Sequence, residues 1–283
     1  IAQSLASNRS NSVGILVSEL HGPFFGQMMA GIETVLRAAG KHVIITTGHS
    51  ENDTERDGIE FLISRNCDAI IAHVEAVSDE YLIELNKKST PIFLVSRLVR
   101  GMEQNCISLD NAKGGYLATN ALIERGHTNI AYIAGPLFKA DANNRLIGHK
   151  KALQEANLEF NQSLYYEGDF KETGGMEGLK QFMDTNVPFT AVVCANDEIA
   201  SGAMKYAREH GYNLPSDLSI IGFDNVIFAN YLYPTLTTID NPVNDMGQMA
   251  AKLVLRDIYQ SKDTELSHVF EPTLIERNSI SKI

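Results

Sequence analysis

The chain has 283 residues, of which 44% are hydrophobic and 21% are charged, and its formal net charge is −11. This length and composition predict a globular protein of one large or two moderate domains, and they exclude disordered and fibrous classes. The negative net charge disfavours direct binding of this chain to the DNA backbone, because phosphate binding needs clustered Lys and Arg. No apolar run approaches the roughly 18 residues that span a bilayer. We therefore expect no membrane partner.

Three cysteines, Cys67, Cys106 and Cys194, are scattered and lie in or beside apolar segments, without the CxxC spacing of a zinc or redox site. They are predicted to be buried reduced thiols, which indicates a cytoplasmic protein. The first residues lack an initiating Met and lack the basic and apolar pattern of a secretory signal. We expect that a segment once preceded them.

In the first half of the chain, short β-branched runs alternate with amphipathic stretches. The runs start at Val13, Val43, Ala69 and Ile92, and the predicted helices cover residues 24–40, 53–66 and 78–88. The strands are too uniformly apolar to be half-exposed, so this βαβ rhythm predicts a parallel sheet with helices on both faces.

The rhythm restarts at Ile130 and continues to about Phe223, with predicted helices over residues 144–156, 174–184 and 197–210. Two similar doubly wound α/β lobes therefore occur in one chain. No Pro/Gly/Ser-rich linker separates them, which favours close-packed lobes joined by short crossovers. Ligands of such sheets bind beyond the carboxyl ends of the strands, so the loops there should carry the function.

Two strand-end loops contain side chains suited to a small ligand. Phe24 and Phe25 follow Pro23 after the first strand, and aromatic faces stack well on a pyranose or a base; the alternative is that both rings belong to the core. In the second lobe Arg145 lies near a helix start. Its guanidinium can orient two hydroxyls at once, and the alternative is a surface salt bridge.

Asn and Asp side chains follow two further strands of the second lobe. Asp197 is predicted to cap the helix that follows it, which leaves Asn196 and Asp224 as the better ligand candidates. An amide both donates and accepts hydrogen bonds and a carboxylate accepts from two hydroxyls, so together they would recognise an uncharged polyol.

Catalytic patterns are missing from the sequence. It contains no GxGxxG, GxxxxGK[ST], GxSxG or HExxH motif, and none of its eight histidines recurs at metal-ligand spacing with His, Cys or a carboxylate. We therefore predict no catalytic residue, no metal and no cofactor. An enzyme whose catalytic residues are distant in sequence remains an alternative.

The order and separation of several segments resemble the lactose/galactose repressor family along the whole chain. The residues that carry the resemblance are Leu109-Asp110-Asn111-Ala112-Lys113-Gly114-Gly115, Arg125-Gly126-His127, Ile133-Ala134-Gly135-Pro136, Arg145-Leu146-Ile147-Gly148, Ala195-Asn196-Asp197, Ile221-Gly222-Phe223-Asp224 and Pro234-Thr235-Leu236-Thr237-Thr238-Ile239. The resemblance implies a periplasmic-binding-protein-like core whose lobes are joined by three crossovers, near Ile123, Asn241 and Val269. The implied lobes comprise residues 12–123 with 242–268, and residues 124–241 with 269–283.

The resemblance also interprets the first residues. Residues 1–11 are similar to the remnant of a hinge helix that follows a helix-turn-helix head, and Ala2 and Leu5 fall in it. Leu5 matches the leucine that wedges into the minor groove of the operator. The alternative is a frayed terminus without a role, because short isolated helices are marginal in water.

Family positions imply a set of ligand contacts, which are Phe24 or Phe25, Asp110, Arg145, Phe170, Asn196, Asp224 and Asn241. An aromatic ring at Phe170 would stack on either a sugar or a base, and Arg145 with Asp224 favours a neutral sugar. We expect a hexose such as galactose to bridge the lobes, with a Phe ring and Asp110 on the first lobe and the other polar residues on the second.

The implied function is that of a ligand-responsive repressor core. It would act as a homodimer through the first-lobe helices and reach operator DNA through the missing head, because operator half-sites demand a symmetric dimer. A periplasmic sugar-binding transport receptor is the first alternative, and a sugar-modifying enzyme is the second.

Overall fold

A computed structural model describes residues 9–88, 90–262 and 266–283 of the chain. The chain forms two compact units, one of Ile1–Leu109 with Pro242–Phe270 and one of Asp110–Asn241 with Glu271–Ile283. The chain thus passes from one unit to the other three times. The predicted hinge residues Ala2 and Leu5 lie outside the described residues.

The first unit contains a parallel sheet with strand order β11-β5-β4-β3-β1-β2. Its strands are β1 Ser12–Val17, β2 His42–Thr47, β3 Ala69–Ala72, β4 Ile92–Val95, β5 Cys106–Leu109 and β11 Val269–Phe270. Its helices are α1 Pro23–Ala38, α2 Asn52–Ser64, α3 Asp79–Asn86 and α8 Val243–Tyr259, with a 3₁₀ turn at Glu103–Asn105. Strands β3, β4 and β5 are buried along their whole length, as their continuous apolar character predicted.

The second unit repeats this plan with strand order β12-β10-β9-β8-β6-β7. Its strands are β6 Ile130–Ala134, β7 Tyr165–Glu167, β8 Ala191–Cys194, β9 Ser219–Asp224, β10 Thr237–Asp240 and β12 Thr273–Ile275. Its helices are α4 Asn111–Ile123, α5 Ala140–Glu155, α6 Glu172–Asp184 and α7 Asp197–Glu209, with 3₁₀ turns at Gln162–Leu164 and Ile227–Asn230. Strand β12 pairs antiparallel with β10, whereas the other pairs of this sheet are parallel.

Helix α4 belongs to the second unit, which corrects the predicted lobe boundary after residue 123. The physical reason is its close packing against α5. A Cβ atom on Gly115 would overlap the carbonyl oxygen of Arg145, and one on Gly148 would overlap that of Ala112. Only glycine lets the two backbones approach this closely, so this helix pair fixes where the start of α5 lies.

Within the described part of the chain, no helix is both long enough and apolar enough to cross a bilayer.

Candidate functional site

Three predicted ligand residues meet at the carboxyl end of the second sheet, where Asp224 ends β9 and Asn241 follows β10. Arg145 Nη2 donates to Asp224 Oδ1 at 3.2 Å, and Asn241 Nδ2 donates to the same oxygen at 3.0 Å. All three side chains are buried. We call Arg145, Asp224 and Asn241 the second-unit cluster.

The Arg145 guanidinium makes two further hydrogen bonds and a ring contact within the second unit. Its Nε donates to Asn111 Oδ1 at 2.9 Å and its Nη1 donates to the carbonyl oxygen of Ala195 at 2.6 Å. Its Cζ lies 3.6 Å from the centroid of the Phe223 ring, a cation–π distance. Because the Arg145 side chain is 3% exposed, the alternative of a surface salt bridge is wrong.

Asp224 and Asn241 supply hydrogen-bond acceptors in this buried setting. Burial raises the pKa of Asp224, and the Arg145 charge and the Asn241 amide act in the opposite direction. Asn241 Oδ1 is buried and has no hydrogen-bond partner among the residues that the structure describes. A buried amide oxygen without a donor carries a desolvation penalty, which a ligand hydroxyl would remove.

Phe170 lies beside the second-unit cluster. Its ring centroid is 5.8 Å from Arg145 Cζ, and the ring packs over Gly135, where a Cβ atom would overlap it. Phe170 adopts a left-handed backbone conformation with φ +66°. The Phe170 side chain is half-buried.

Asn196, rather than Asp197, caps the helix that follows β8. Asn196 is the N-cap of α7, since its Oδ1 accepts from the Ile199 amide at 2.8 Å while its Nδ2 donates to the Phe170 carbonyl at 3.0 Å. Asp197 is buried and accepts from Thr238 Oγ1 at 2.6 Å and from the Val226 amide at 2.9 Å. The prediction that Asp197 caps the helix is therefore wrong.

Asp110 also acts as a helix cap. Its Oδ1 accepts from the Lys113 amide at 2.9 Å at the start of α4. Because α4 belongs to the second unit, Asp110 lies there rather than on the first lobe as expected.

In the first unit, Phe24 and Phe25 lie at the start of α1, near the carboxyl end of the sheet. Phe25 makes edge contacts with Phe24 and with His73, each at a centroid distance of 5.2 Å. Both phenyl rings are half-buried, so neither belongs to the fully buried core that the alternative interpretation required.

Four polar residues at this edge of the first unit were missed by the sequence analysis. Ser18 Oγ lies 3.2 Å from His73 Nδ1 and 3.5 Å from Glu75 Oε2, and Ser50 donates to the same Glu75 oxygen. Each follows β1, β2 or β3, so the strand-end rule applied to the first lobe would have found them. With Phe24 and Phe25 they form what we call the first-unit cluster.

Neither a metal site nor a reactive thiol is indicated by the described residues. The described residues contain no group of three or more His, Cys, Asp or Glu that would hold a metal ion. The cysteines are unpaired and buried, and burial raises the pKa of Cys67 to about 11. Buried thiols of raised pKa are poor nucleophiles.

Two doubly wound units with polar residues at the carboxyl ends of their strands define a periplasmic-binding-protein-like class, and residues 119–280 match the family described as a periplasmic binding protein-like domain. The HTH-type transcriptional regulator GalR of Salmonella typhimurium is 36% identical over 280 residues, which is 99% of this chain and 82% of that protein. The chain belongs to the lactose/galactose repressor (LacI) family of transcriptional regulators. This confirms the predicted fold class and family.

Solved structures similar to this chain are also named as LacI-family regulators. A sugar-binding LacI-family regulator from Escherichia coli, complexed with phosphate, has a TM-score of 0.87 and 26% identity and covers 97% of this chain and 100% of that one. A LacI-family regulator from Enterococcus faecium with bound ribose has a TM-score of 0.84 and 29% identity, with coverage of 96% and 99%. These relatives are named regulators rather than enzymes, in agreement with the expectation from the missing catalytic motifs.

Proposed function

We propose that this chain is the effector-binding core of a transcriptional repressor whose effector is a small uncharged sugar, a hexose such as galactose. The sugar binds at the second-unit cluster, where Arg145, Asp224 and Asn241 take part in its recognition. Sugar binding controls how tightly a helix-turn-helix head holds operator DNA.

The observation that carries this proposal is the pair of buried hydrogen-bond acceptors on Asp224 and Asn241. They lie beside the Arg145 guanidinium, whose charge is paired with Asp224. Sugar hydroxyls are donors that suit a carboxylate and an amide oxygen. The Arg145–Asp224 ion pair has no net charge, so a charged guest would meet no compensating group within the cluster. The Phe170 ring offers an apolar face for the C–H face of a pyranose.

The relatives support the sugar class. The Escherichia coli neighbour is named a sugar-binding regulator, and the Enterococcus faecium neighbour was solved with ribose. Asn196 and Asp110 are weaker members of the proposed set, because each already caps a helix. Contact of the same ligand with Phe24 or Phe25 stays a prediction.

Control of DNA binding follows from linkage. A sugar that binds one conformational state more tightly than another shifts the population by its differential affinity, typically by about 1–3 kcal/mol. We further propose that the protein works in the cytoplasm as a homodimer through α1 and α3, because operator half-sites are related by two-fold symmetry.

Calorimetric titration of the chain with galactose, glucose and ribose tests the proposal. Wild type should bind at least one of these sugars, and Asp224→Asn should weaken binding by about 10- to 100-fold, because it removes a charged acceptor. Asp184→Asn, an exposed change of the same chemistry on α6, is the control and should bind as wild type does. Absence of sugar binding by wild type would refute the ligand class, and unweakened binding by Asp224→Asn would refute the site.

A further inference from the structure

Four aromatic rings of the second unit lie in series beside α5. The ring of Tyr132 on β6 lies 4.5 Å from that of His149 on α5, His149 lies 5.9 Å from Phe160, and Phe160 lies 5.8 Å from Tyr165 on β7. Tyr132 and Tyr165 are also register partners on neighbouring parallel strands, so their side chains leave the same face of the sheet. The first and last rings of the series are therefore neighbours.

The hydrogen bonds of Thr119 fix the tautomer of His149. The Thr119 hydroxyl donates its single proton to the Gly115 carbonyl at 2.9 Å, and His149 Nδ1 lies 2.8 Å from the same oxygen. Nδ1 must then donate to Thr119, and Nε2 carries a lone pair. His149 is neutral, because burial lowers its pKa to about 3.

Three polar atoms on these rings have no hydrogen-bond partner among the described residues. They are His149 Nε2 and the hydroxyl groups of Tyr132 and Tyr165. Tyr132 and His149 are at most 1% exposed. Buried polar groups are normally paired, because an unpaired one loses its hydration without compensation. Three such atoms on neighbouring rings point to a partner that the described residues do not supply.

The chemistry of the three atoms identifies that partner. Nε2 is an acceptor, and each tyrosine hydroxyl can donate and accept. A water molecule that donates to Nε2 and accepts from the hydroxyl groups would therefore satisfy these atoms. None of the four rings carries a formal charge, so an ion would find no counter-charge among them.

We propose that Tyr132, His149 and Tyr165 hold one or two ordered water molecules in an internal hydration site between α5 and strands β6 and β7. The water accepts from the tyrosine hydroxyls and donates to His149 Nε2, and it thereby ties α5 to the sheet. Arg145 lies one turn before His149 on α5, so the site supports the helix that positions the second-unit cluster. It needs no effector, and failure of the sugar titration would leave it intact.

A crystal structure of the chain at about 1.5 Å tests the site directly. We expect density for a water molecule within about 3.2 Å of His149 Nε2 and of a tyrosine hydroxyl. A direct tyrosine–histidine hydrogen bond, or no density at Nε2, would overturn the proposal. Nitrogen-15 NMR of the imidazole provides a second readout. The Nδ1–H tautomer is expected, and the Nε2–H tautomer would overturn the assigned polarity.

Thermal unfolding of Tyr132→Phe and Tyr165→Phe distinguishes a hydrated site from a dry one, because the two cases predict Tm changes of opposite sign. If water bridges the hydroxyls, each variant loses a hydrogen bond and its Tm falls by about 2–4 °C. If the hydroxyls are unpaired, phenylalanine removes a penalty and the Tm rises or stays constant, which contradicts the proposal. Tyr231→Phe, at a residue that is 78% exposed, is the control and should leave the Tm unchanged.

Discussion

The two units share a topology, but they hold charge at their carboxyl edges in different ways. In the second unit the charged groups of the site are buried and paired with each other, as Arg145 is with Asp224. In the first unit the site carboxylate, Glu75, is half-buried and bonded by serine hydroxyls. The same topology therefore carries one cluster of buried, mutually paired polar residues and one cluster of half-buried residues on loops.

The loop of the first unit is held by a separate carboxylate. Glu55 of α2 is buried, and its two oxygens accept from the backbone amides of Glu75, Ala76 and Val77 at 2.8, 3.0 and 2.9 Å. Backbone donors compensate this charge without a cation. In the first unit one carboxylate, Glu55, holds the loop and another, Glu75, lies at its half-buried surface. In the second unit the buried Arg145 both pairs with Asp224 and bonds to the neighbouring segments.

The largest effect should come from breaking the ion pair of the second unit. Arg145→Ala leaves Asp224 as an uncompensated buried charge, so the free energy of unfolding should fall by about 3–5 kcal/mol. Arg37→Ala in the first unit is the control. Arg37 pairs with Glu33 on α1 at 3.0 Å, and the two side chains are 75% and 38% exposed, so we expect a loss near 1 kcal/mol or less from that ion pair. Urea unfolding measures both, and equal losses would contradict the contrast between the units.

A smaller effect is expected for Glu55→Gln in the first unit. The substitution removes the negative charge and places an amide NH2 group opposite backbone N–H donors. The free energy of unfolding should therefore fall by about 1.5–3 kcal/mol. Glu60→Gln, an exposed change on the same helix, should alter stability little. Hydrogen exchange should show faster opening of residues 75–77 in Glu55→Gln, and an unchanged exchange rate there would refute the support role.

The smallest effect concerns mild acid and the second unit. Burial lowers the pKa of His127, and it lowers that of His149 to about 3. His149 therefore stays neutral when the chain is folded, while the unfolded chain takes up protons below about pH 6.5. Stability should therefore fall as the pH drops from about 6.5 toward 3, by about 1 kcal/mol at pH 5.5 for His149 alone. Urea unfolding at several pH values measures this. His149→Gln should reduce the slope, and an unchanged slope in that variant would contradict the assignment.

Much of the fold was predictable because it depends on local patterns. Continuous apolar runs such as that of β3 predict a buried parallel strand, and their alternation with amphipathic stretches predicts two doubly wound units. The positions of Arg145, Asp224 and Asn241 were predicted from strand ends and family resemblance. The structure brings these three together.

Pairing between side chains was not predictable in the same way. Asn196 and Asp197 are adjacent and chemically similar, and only the positions of Thr238 and of the Val226 amide decide which one caps α7. The roles of Ser18, Ser50 and Glu75 likewise depend on loops that are distant in sequence.

The sequence by itself determined the family, the strand and helix pattern and the identity of most polar residues at the strand ends, because hydrophobic periodicity and short-range capping are encoded locally. Only the tertiary structure decided that α4 joins the second unit, since this depends on glycines of two helices that meet in space. It also decided which carboxylates are compensated by a cation and which by backbone amides, because burial and hydrogen-bond partners arise only when distant segments pack.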